Sequence, residues 1–336
     1  MERFVFNLSN ELSKRDSIQV ILYVWGTKQK ITWGKWHEKI KFRQVPYSRY
    51  YQKNIAKLFY SFWSRIDTPD SFLINFLYHG ETVLPKSTKI HYVLHSPASL
   101  IEHRYKDIST NLNEFEKLNF IAVSEGVKAE ALPFLHALPI KVIHHGIDLS
   151  IFKPKRNYFS NKKLKIVTVA ALESWKGIQH IISSFSNSYI SQNFTYDVIG
   201  EGPYESRLKK MVTDSQLENS IKFLGSFENV ESILPAYDIY CQLSEGEAFG
   251  ISVIEAMACG LPTIVSDCPP FDKLFSDEVI KVAPKSIEDI IQKLKSLESD
   301  EIREEFGLKG KQYVHSNFSL EQMGHHYFNQ IWGEAT

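Results

Sequence analysis

Residues 244–260 read SEGEAFGISVIEAMACG, and this stretch decides the fold. Before it, Tyr237 to Leu243 is an apolar, β-rich run. After Phe249-Gly250, apolar residues return at helical spacing to about Cys259. The chain therefore passes from a strand through a short turn into a helix, predicted from about Gly250 to Cys259. A helix that starts this way has unbonded N–H groups in its first turn and the positive end of its dipole, which together suit a phosphate or a developing anion. Gly250 lets a ligand come close to the backbone. Two carboxylates, Glu247 and Glu255, stand eight residues apart around the turn.

Outward from this stretch, strands alternate with helices. Strands are predicted at Leu164 to Ala170, Tyr196 to Gly200, Ile221 to Leu224, Ile239 to Leu243 and Thr263 to Ser266. Helices are predicted from about Gly177, over Tyr204 to Thr213, and over 286–298 and 300–316. The first half shows the same alternation. Its strands fall at Gln19 to Trp25, Ile40 to Val45, Phe72 to Leu77, Ile90 to Leu94, Phe120 to Ser124 and Ile140 to His144, with helices over 47–66 and 125–135. Such alternation argues two doubly wound parallel sheets. The expected division is a first domain over 1–150, a polar linker over 151–163, a second domain over 164–318, and a final amphipathic helix within 319–336 that packs back on the first domain. Two such domains would face each other across a crevice at the carboxyl ends of their strands.

Composition fits this picture: 336 residues with 43% hydrophobic content suffice for two cores. The net charge of zero hides an asymmetry. Residues 1–150 carry 20 Lys and Arg against 14 Asp and Glu, a balance of +6, and the rest carries the opposite balance. The excess either meets something anionic or is chance surface composition. Cys241, Cys259 and Cys268 have neither metal-ligand nor C-x-x-C spacing and read as reduced, buried residues. No apolar run reaches the length of a transmembrane helix, and Met1-Glu2-Arg3 opens no signal peptide, so the expected location is the cytoplasm.

Eight residues of helix, the spacing of Glu247 and Glu255, rise about 12 Å, near the length of a nucleotide-sugar from ribose to hexose. The two carboxylates would then bracket such a donor. The segment resembles the E-x7-E signature of glycosyltransferase family 4, whose members have the GT-B fold, and several further segments resemble that family in order. These are LESWKG from Leu172, VIGEGP from Val198, the strand after Ala236-Tyr237-Asp238, GLPTIVSD from Gly260, AVSEGV from Ala122 and HHGIDLSIF from His144. The resemblance implies a retaining transfer of a sugar from a nucleotide-sugar, with no metal and no cofactor. It also implies that Glu247 holds sugar hydroxyls, Glu255 the ribose and Lys176 the diphosphate. The amides of Phe249, Gly250 and Ile251 would lie beside sugar and phosphates, and His95 in VLHSP matches the family's first-domain histidine.

Each residue also has an ordinary reading. A glutamate near a helix start can merely favour the dipole, a lone lysine is usually solvated, and a histidine after an apolar strand is often a core residue. His144-His145 and His325-His326 lack ligand-spaced partners and read as structural. Two positions depart from the family. Ala171 stands where an arginine usually precedes the lysine by five residues. The opening MERFVFNLSNELSKR resembles the helix after a first strand and a Gly-Gly loop, so a strand and loop are expected upstream of Met1.

The expected acceptor is a glycan or lipid-linked molecule in surface polysaccharide or glycolipid assembly. Residues 39–66 hold seven basic and no acidic residues among interleaved aromatics. That patch suits peripheral contact with the inner face of the membrane, or it is a helix packed on the sheet with solvated lysines. No nucleic-acid module accompanies it. Two other functions remain open at this point, a nucleotide-sugar epimerase of the same fold and a nucleotide-sugar-binding protein without turnover.

Overall fold

The computed structural model describes residues 2–25, 35–45, 67, 70–74, 89–97, 118–135, 138–154, 157–159 and 163–333. The chain divides into two compact units, Met1–Gly146 with Leu320–Thr336, and Ile147–Ser319.

The first unit opens on helix α1 (Glu2–Ser13). Phe4, Leu8 and Leu12 recur at four-residue spacing and are buried, so one stripe of α1 faces the interior. It packs against the chain's last helix, Leu320–Trp332. Strands β1 (Ile21–Trp25) and β2 (Lys41–Val45) pair in parallel, Ile21 opposite Lys41. Strands β3 (Ser71–Ile74), β4 (Lys89–Leu94), β5 (Leu118–Ala122) and β6 (Ile140–Val142) form a separate parallel sheet in that order. Helix α2 (Glu125–Ala131) leaves β5 and is capped by Ser124, whose hydroxyl accepts from Val127 N at 3.2 Å. Among the described residues, the strands expected as one alternating block pair as two sheets. The predicted helix over 47–66, with most of the basic run, lies outside the described residues. Two cations at the start of that run are paired: Lys39 with Asp16 at 2.5 Å, and Arg43 Nε with Asp67 Oδ2 at 2.9 Å.

The second unit is one parallel sheet. Its elements are β7 (Leu164–Val169), α3 (Ile178–Ser184), α4 (Ser188–Asn193), β8 (Phe194–Ile199), α5 (Glu205–Asp214), β9 (Ile221–Gly225), α6 (Val230–Ile233) and β10 (Ile239–Gln242). They continue with α7 (Ile251–Ala258), β11 (Thr263–Ser266), α8 (Phe271–Leu274), β12 (Ile280–Val282), α9 (Ile287–Ser296) and α10 (Asp300–Asn317). The last helix, α11 (Leu320–Trp332), belongs to the first unit. The short elements α4, α6, α8 and β12 have too few periodic residues to stand out in the sequence. Sheet order is β12-β11-β10-β7-β8-β9. The first strand, β7, lies beside the fourth, β10, so the winding reverses between them. Ile166, Val167, Ile239, Cys241, Ile264 and Val265 are buried, as expected of strands with helices on both faces.

The division falls at Gly146–Ile147, ahead of the stretch expected as a linker. Phe152 and Tyr158 within that stretch are buried. Tyr158 OH donates to Gly260 O at 2.7 Å, and Arg303 Nη2 donates to Tyr158 O at 2.6 Å. The composition of the segment is that of a linker, but Tyr158 ties it to the second unit through Gly260 and Arg303.

Candidate functional site

At the point where the sheet reverses, the loops leaving β7 and β10 meet. The β7 loop, LESWKG, contains one 3-10 turn, Ser174–Lys176, and ends at Gly177 with φ 73°. Leu172 N donates to Glu201 O and Tyr204 N to Leu172 O, both at 2.9 Å, so the VIGEGP segment holds this loop from one side. From the other side Glu245 N donates to Trp175 O at 2.8 Å. A Cβ on Gly177 would lie 1.8 Å from Leu243 O, so the two loops meet backbone to backbone where only glycine fits.

This contact brings Lys176 to Glu247. Lys176 Nζ lies 2.5 Å from Glu247 Oε1, and the two side chains are only 12% and 8% exposed. The ammonium also sits over the Trp175 ring, 4.1 Å from its centroid. Gln242 Nε2 donates to the same carboxylate oxygen at 2.6 Å and Ser244 Oγ at 3.0 Å. Three donors thus converge on Oε1, one of them charged, while no described residue donates to Oε2. The carboxylate is oriented and half of its accepting capacity is left for another partner.

Glu247 N donates to Pro269 O at 3.2 Å, which ties the turn to the loop before α8. Glu245 reaches the opposite way, to Lys285 at 3.0 Å and His180 at 3.7 Å. Burial pulls His180 below the ordinary imidazole range, against the opposing pull of Glu245.

Helix α7 starts at Gly250, φ 90°, with no side-chain cap. A Cβ there would meet Phe271 Cε1 at 2.5 Å. Val253 N and Ile254 N return to Gly250 O. The amides of Ile251 and Ser252 have no acceptor among the described residues, so the helix terminus has donors free for a ligand. Phe249 is buried edge-on against Phe318, with centroids 5.6 Å apart, and this packing anchors the turn.

Glu255 is buried on α7 and raises the thiol of Cys259, for which burial is the larger cause. Only Ile251 onward is helical, so the 12 Å rise inferred for the span from Glu247 to Glu255 does not apply: half of that span is loop. All three cysteines are free and buried. Burial, then Asp272, pushes Cys268 up to about 11, and its Sγ lies 3.1 Å from Ser244 O.

His95 belongs to the first unit, beyond the end of β4. Its ring stacks on His145 at 5.4 Å and meets the edge of Phe4 at 4.7 Å. Burial holds its pKa down to about 3, so the ring is neutral. His145 is shifted the same way by burial. Among the described residues no three His, Cys, Asp or Glu side chains converge as metal ligands, and no helix is long and apolar enough to cross a membrane.

Sequence reasoning picked Lys176, Glu247 and Gly250 but missed Gln242 and Ser244, which bond to Glu247, and Tyr240 and Ser252, which bond to Gln242. The available signal was a glutamine in the otherwise apolar strand Ile239–Gln242, where a buried carboxamide needs partners.

Residues 151–313, most of the second unit, match the model of the family described as glycosyl transferases group 1. An uncharacterised glycosyltransferase of Methanocaldococcus jannaschii is 29% identical over 224 residues, which are 62% of this chain and 57% of that protein. The N-acetyl-alpha-D-glucosaminyl L-malate synthase of Bacillus anthracis is 27% identical over 132 residues, 37% of this chain and 35% of that one. The chain thus spans about half or less of the curated relatives it matches. Among solved structures, the sucrose-phosphate synthase of Thermosynechococcus elongatus superposes with a TM-score of 0.81 at 15% identity, covering 99% of this chain and 94% of that one. The Anabaena protein HepE in complex with UDP-glucose gives 0.75 at 17% identity, covering 87% and 86%. With parallel α/β sheets in both units, a doubly wound second unit and these structural likenesses, the chain has the GT-B fold.

Proposed function

We propose that this protein is a retaining glycosyltransferase of family 4, which moves a sugar from a nucleotide-sugar to a glycan or lipid-linked acceptor without a bound metal. The work belongs to surface polysaccharide or glycolipid assembly at the cytoplasmic face of the membrane. The observation that carries the reading is the Lys176–Glu247 pair, 2.5 Å apart and mostly buried, beside the uncapped start of α7. When the bond from the sugar to the diphosphate breaks, negative charge grows on the leaving diphosphate. Lys176 and the amides of Ile251 and Ser252 are fixed donors for that charge. Glu247, clamped through Oε1, offers Oε2 to hydroxyls of the sugar, and Glu255 serves the ribose. His95, neutral at pH 7, can accept or donate a hydrogen bond but carries no charge toward a substrate.

A second reading, a nucleotide-sugar-binding protein without turnover, draws on Ala171, which removes one cation from the β7 loop. The two part in one set of measurements on the purified chain. Melting temperature is read with UDP-, GDP- and ADP-sugars, UDP-glucose first because HepE was crystallised with it. Nucleotide release is then followed with and without EDTA in the presence of a lipid-linked acceptor extract. Hydrogen bonds to charged groups contribute about 1.5–3 kcal/mol, so Glu247→Gln lowers kcat about 10- to 100-fold with UDP affinity retained. Glu255→Gln weakens UDP binding instead. EDTA leaves release unchanged. Stabilisation without release selects the binding protein; loss of activity with EDTA, restored by manganese, overturns the metal-free mechanism.

A further inference from the structure

Gln242 closes β10 and is almost wholly buried, 1% exposed, on a strand whose neighbours Ile239 and Cys241 are apolar. Its carboxamide uses its full hydrogen-bonding capacity. On one side Oε1 accepts from Tyr240 OH at 2.7 Å and from Ser252 Oγ at 2.9 Å. On the other, Nε2 donates to Glu247 Oε1 at 2.6 Å and to Ser244 Oγ at 3.3 Å. The carboxylate accepts and cannot donate, so the NH2 must face Glu247; the two hydroxyls then supply the protons that Oε1 needs. The amide therefore has one orientation, enforced by β10 through Tyr240 and by the first turn of α7 through Ser252. A fully satisfied buried network of this kind fixes geometry more firmly than any one of its bonds.

We propose that Gln242 is a positioning residue for Glu247, holding Oε1 inward so that Oε2 is the oxygen presented to the donor sugar. The inference rests on the reading of Glu247 as the residue that contacts that sugar. Lys176 also contacts Oε1, but once a diphosphate engages the ammonium, the neutral amide and Ser244 are the described donors that keep the carboxylate in place. Gln242 thus supplies orientation that does not change with the charge state of the ligand, at a position the Glu247 motif itself does not include.

Three variants test this, with UDP release from UDP-glucose for turnover and UDP titration for binding. Gln242→Leu removes both bonds to the carboxylate side and is expected to lower kcat about tenfold with UDP affinity within twofold of the parent. Gln242→Glu keeps the shape but places a second carboxyl against Glu247. Two carboxyls at that distance share one proton at low pH and repel when both ionise. Its kcat is therefore expected to fall as pH rises through the neutral range, a limb the parent lacks and a purely structural role would not create. Tyr240→Phe loosens the amide from behind and should cost less than Gln242→Leu. Circular dichroism at each pH shows that the variants are folded, and Gln242→Glu with Tyr240→Phe carries the test if Gln242→Leu does not fold. If Glu247→Gln is impaired while the Gln242 and Tyr240 variants match the parent at every pH, the positioning role is overturned and the role of Glu247 stands. If the parent releases nucleotide from none of the UDP-, GDP- and ADP-sugars, or Glu247→Gln equals the parent, the reading beneath the proposal fails and the proposal with it.

Discussion

The two units use the same alternation of strand and helix but place their polar groups differently. In the second, one continuous six-stranded sheet sends two loops from the ends of adjacent strands, and every polar atom around Glu247 Oε1 comes from residues 176 or 240–252. In the first, the described strands form separate sheets of two and four, and the aromatic cluster at His95 gathers Phe4, His145 and Tyr327 from across the chain. A site built from neighbouring loops can be specified by short motifs. One built from remote segments depends on the packing of the whole unit.

The largest effect should come from the contact that joins the two loops of the second unit. Gly177 has a left-handed backbone, and a methyl group there would overlap Leu243 O. Gly177→Ala must therefore push the β7 loop off the β10 loop or strain both, a cost of about 3 kcal/mol or more on the scale of forbidden backbone and overpacking combined. Denaturant unfolding should show the transition of the second unit at markedly lower midpoint, and turnover should be lost because Lys176 no longer reaches Glu247. A variant as stable and active as the parent would mean that the loops are not held by this contact.

The same contrast explains what could be read from the sequence. β7, β8, β10 and β11 were legible because buried parallel strands are short apolar runs bounded by Gly or polar turns, and Gly177 and Gly250 mark the turns that follow β7 and β10. The elements α4, α6, α8 and β12 were not, since four to six residues carry too little periodicity against their loops. Lys176 and Glu247 could be named from the resemblance of the motifs that hold them, but their meeting depends on β10 lying beside β7, which a sequence pattern does not state. Gln242 was hidden for the same reason: its partners Glu247 and Ser252 are five and ten residues on, and become neighbours only when α7 folds back over the strand end. The stretch after Ser150 reads as a linker in sequence because the partners of Tyr158, Gly260 and Arg303, lie far along the chain.

In the first unit the exposed weakness is His91 on β4. It is fully buried, and both of its ring nitrogens lack a hydrogen-bond partner among the described residues. Burial, then the charge of Lys89, lowers its pKa to about 4 from the ordinary 6.5. The sign follows: above 6.5 the ring is neutral in folded and unfolded chains alike, and its stability contribution is fully present. Between 6.5 and about 4 the unfolded chain binds the proton and the folded one does not, so stability is lost as pH falls. His91→Leu removes the unsatisfied nitrogens and the proton uptake together. Its melting temperature should fall less than the parent's between pH 7 and pH 4.5, a difference of several degrees read by scanning calorimetry. Parallel pH profiles for the two proteins would show that His91 does not govern this acid sensitivity.

The smallest effect expected concerns the missing cation of the second unit. Ala171 is exposed at the start of the loop that carries Lys176, and its carbonyl accepts from Glu173 N at 2.9 Å. Ala171→Arg would add a guanidinium five residues before the lysine, where the family pattern has one, and a diphosphate would meet two cations in place of one. Two features keep the gain small. The position is solvated, where ion pairs contribute up to about 1 kcal/mol. Glu173 and Glu201 lie on backbone segments bonded to this loop and compete for the new charge. UDP affinity measured by titration should therefore rise about two- to fivefold at low salt, and the gain should shrink as added salt screens the exposed pair. An unchanged affinity would mean that Ala171 does not face the diphosphate. A salt-insensitive gain of tenfold or more would mean that the arginine reaches a desolvated position, and that its absence weakens donor binding in this chain far more than the loss of one rim charge.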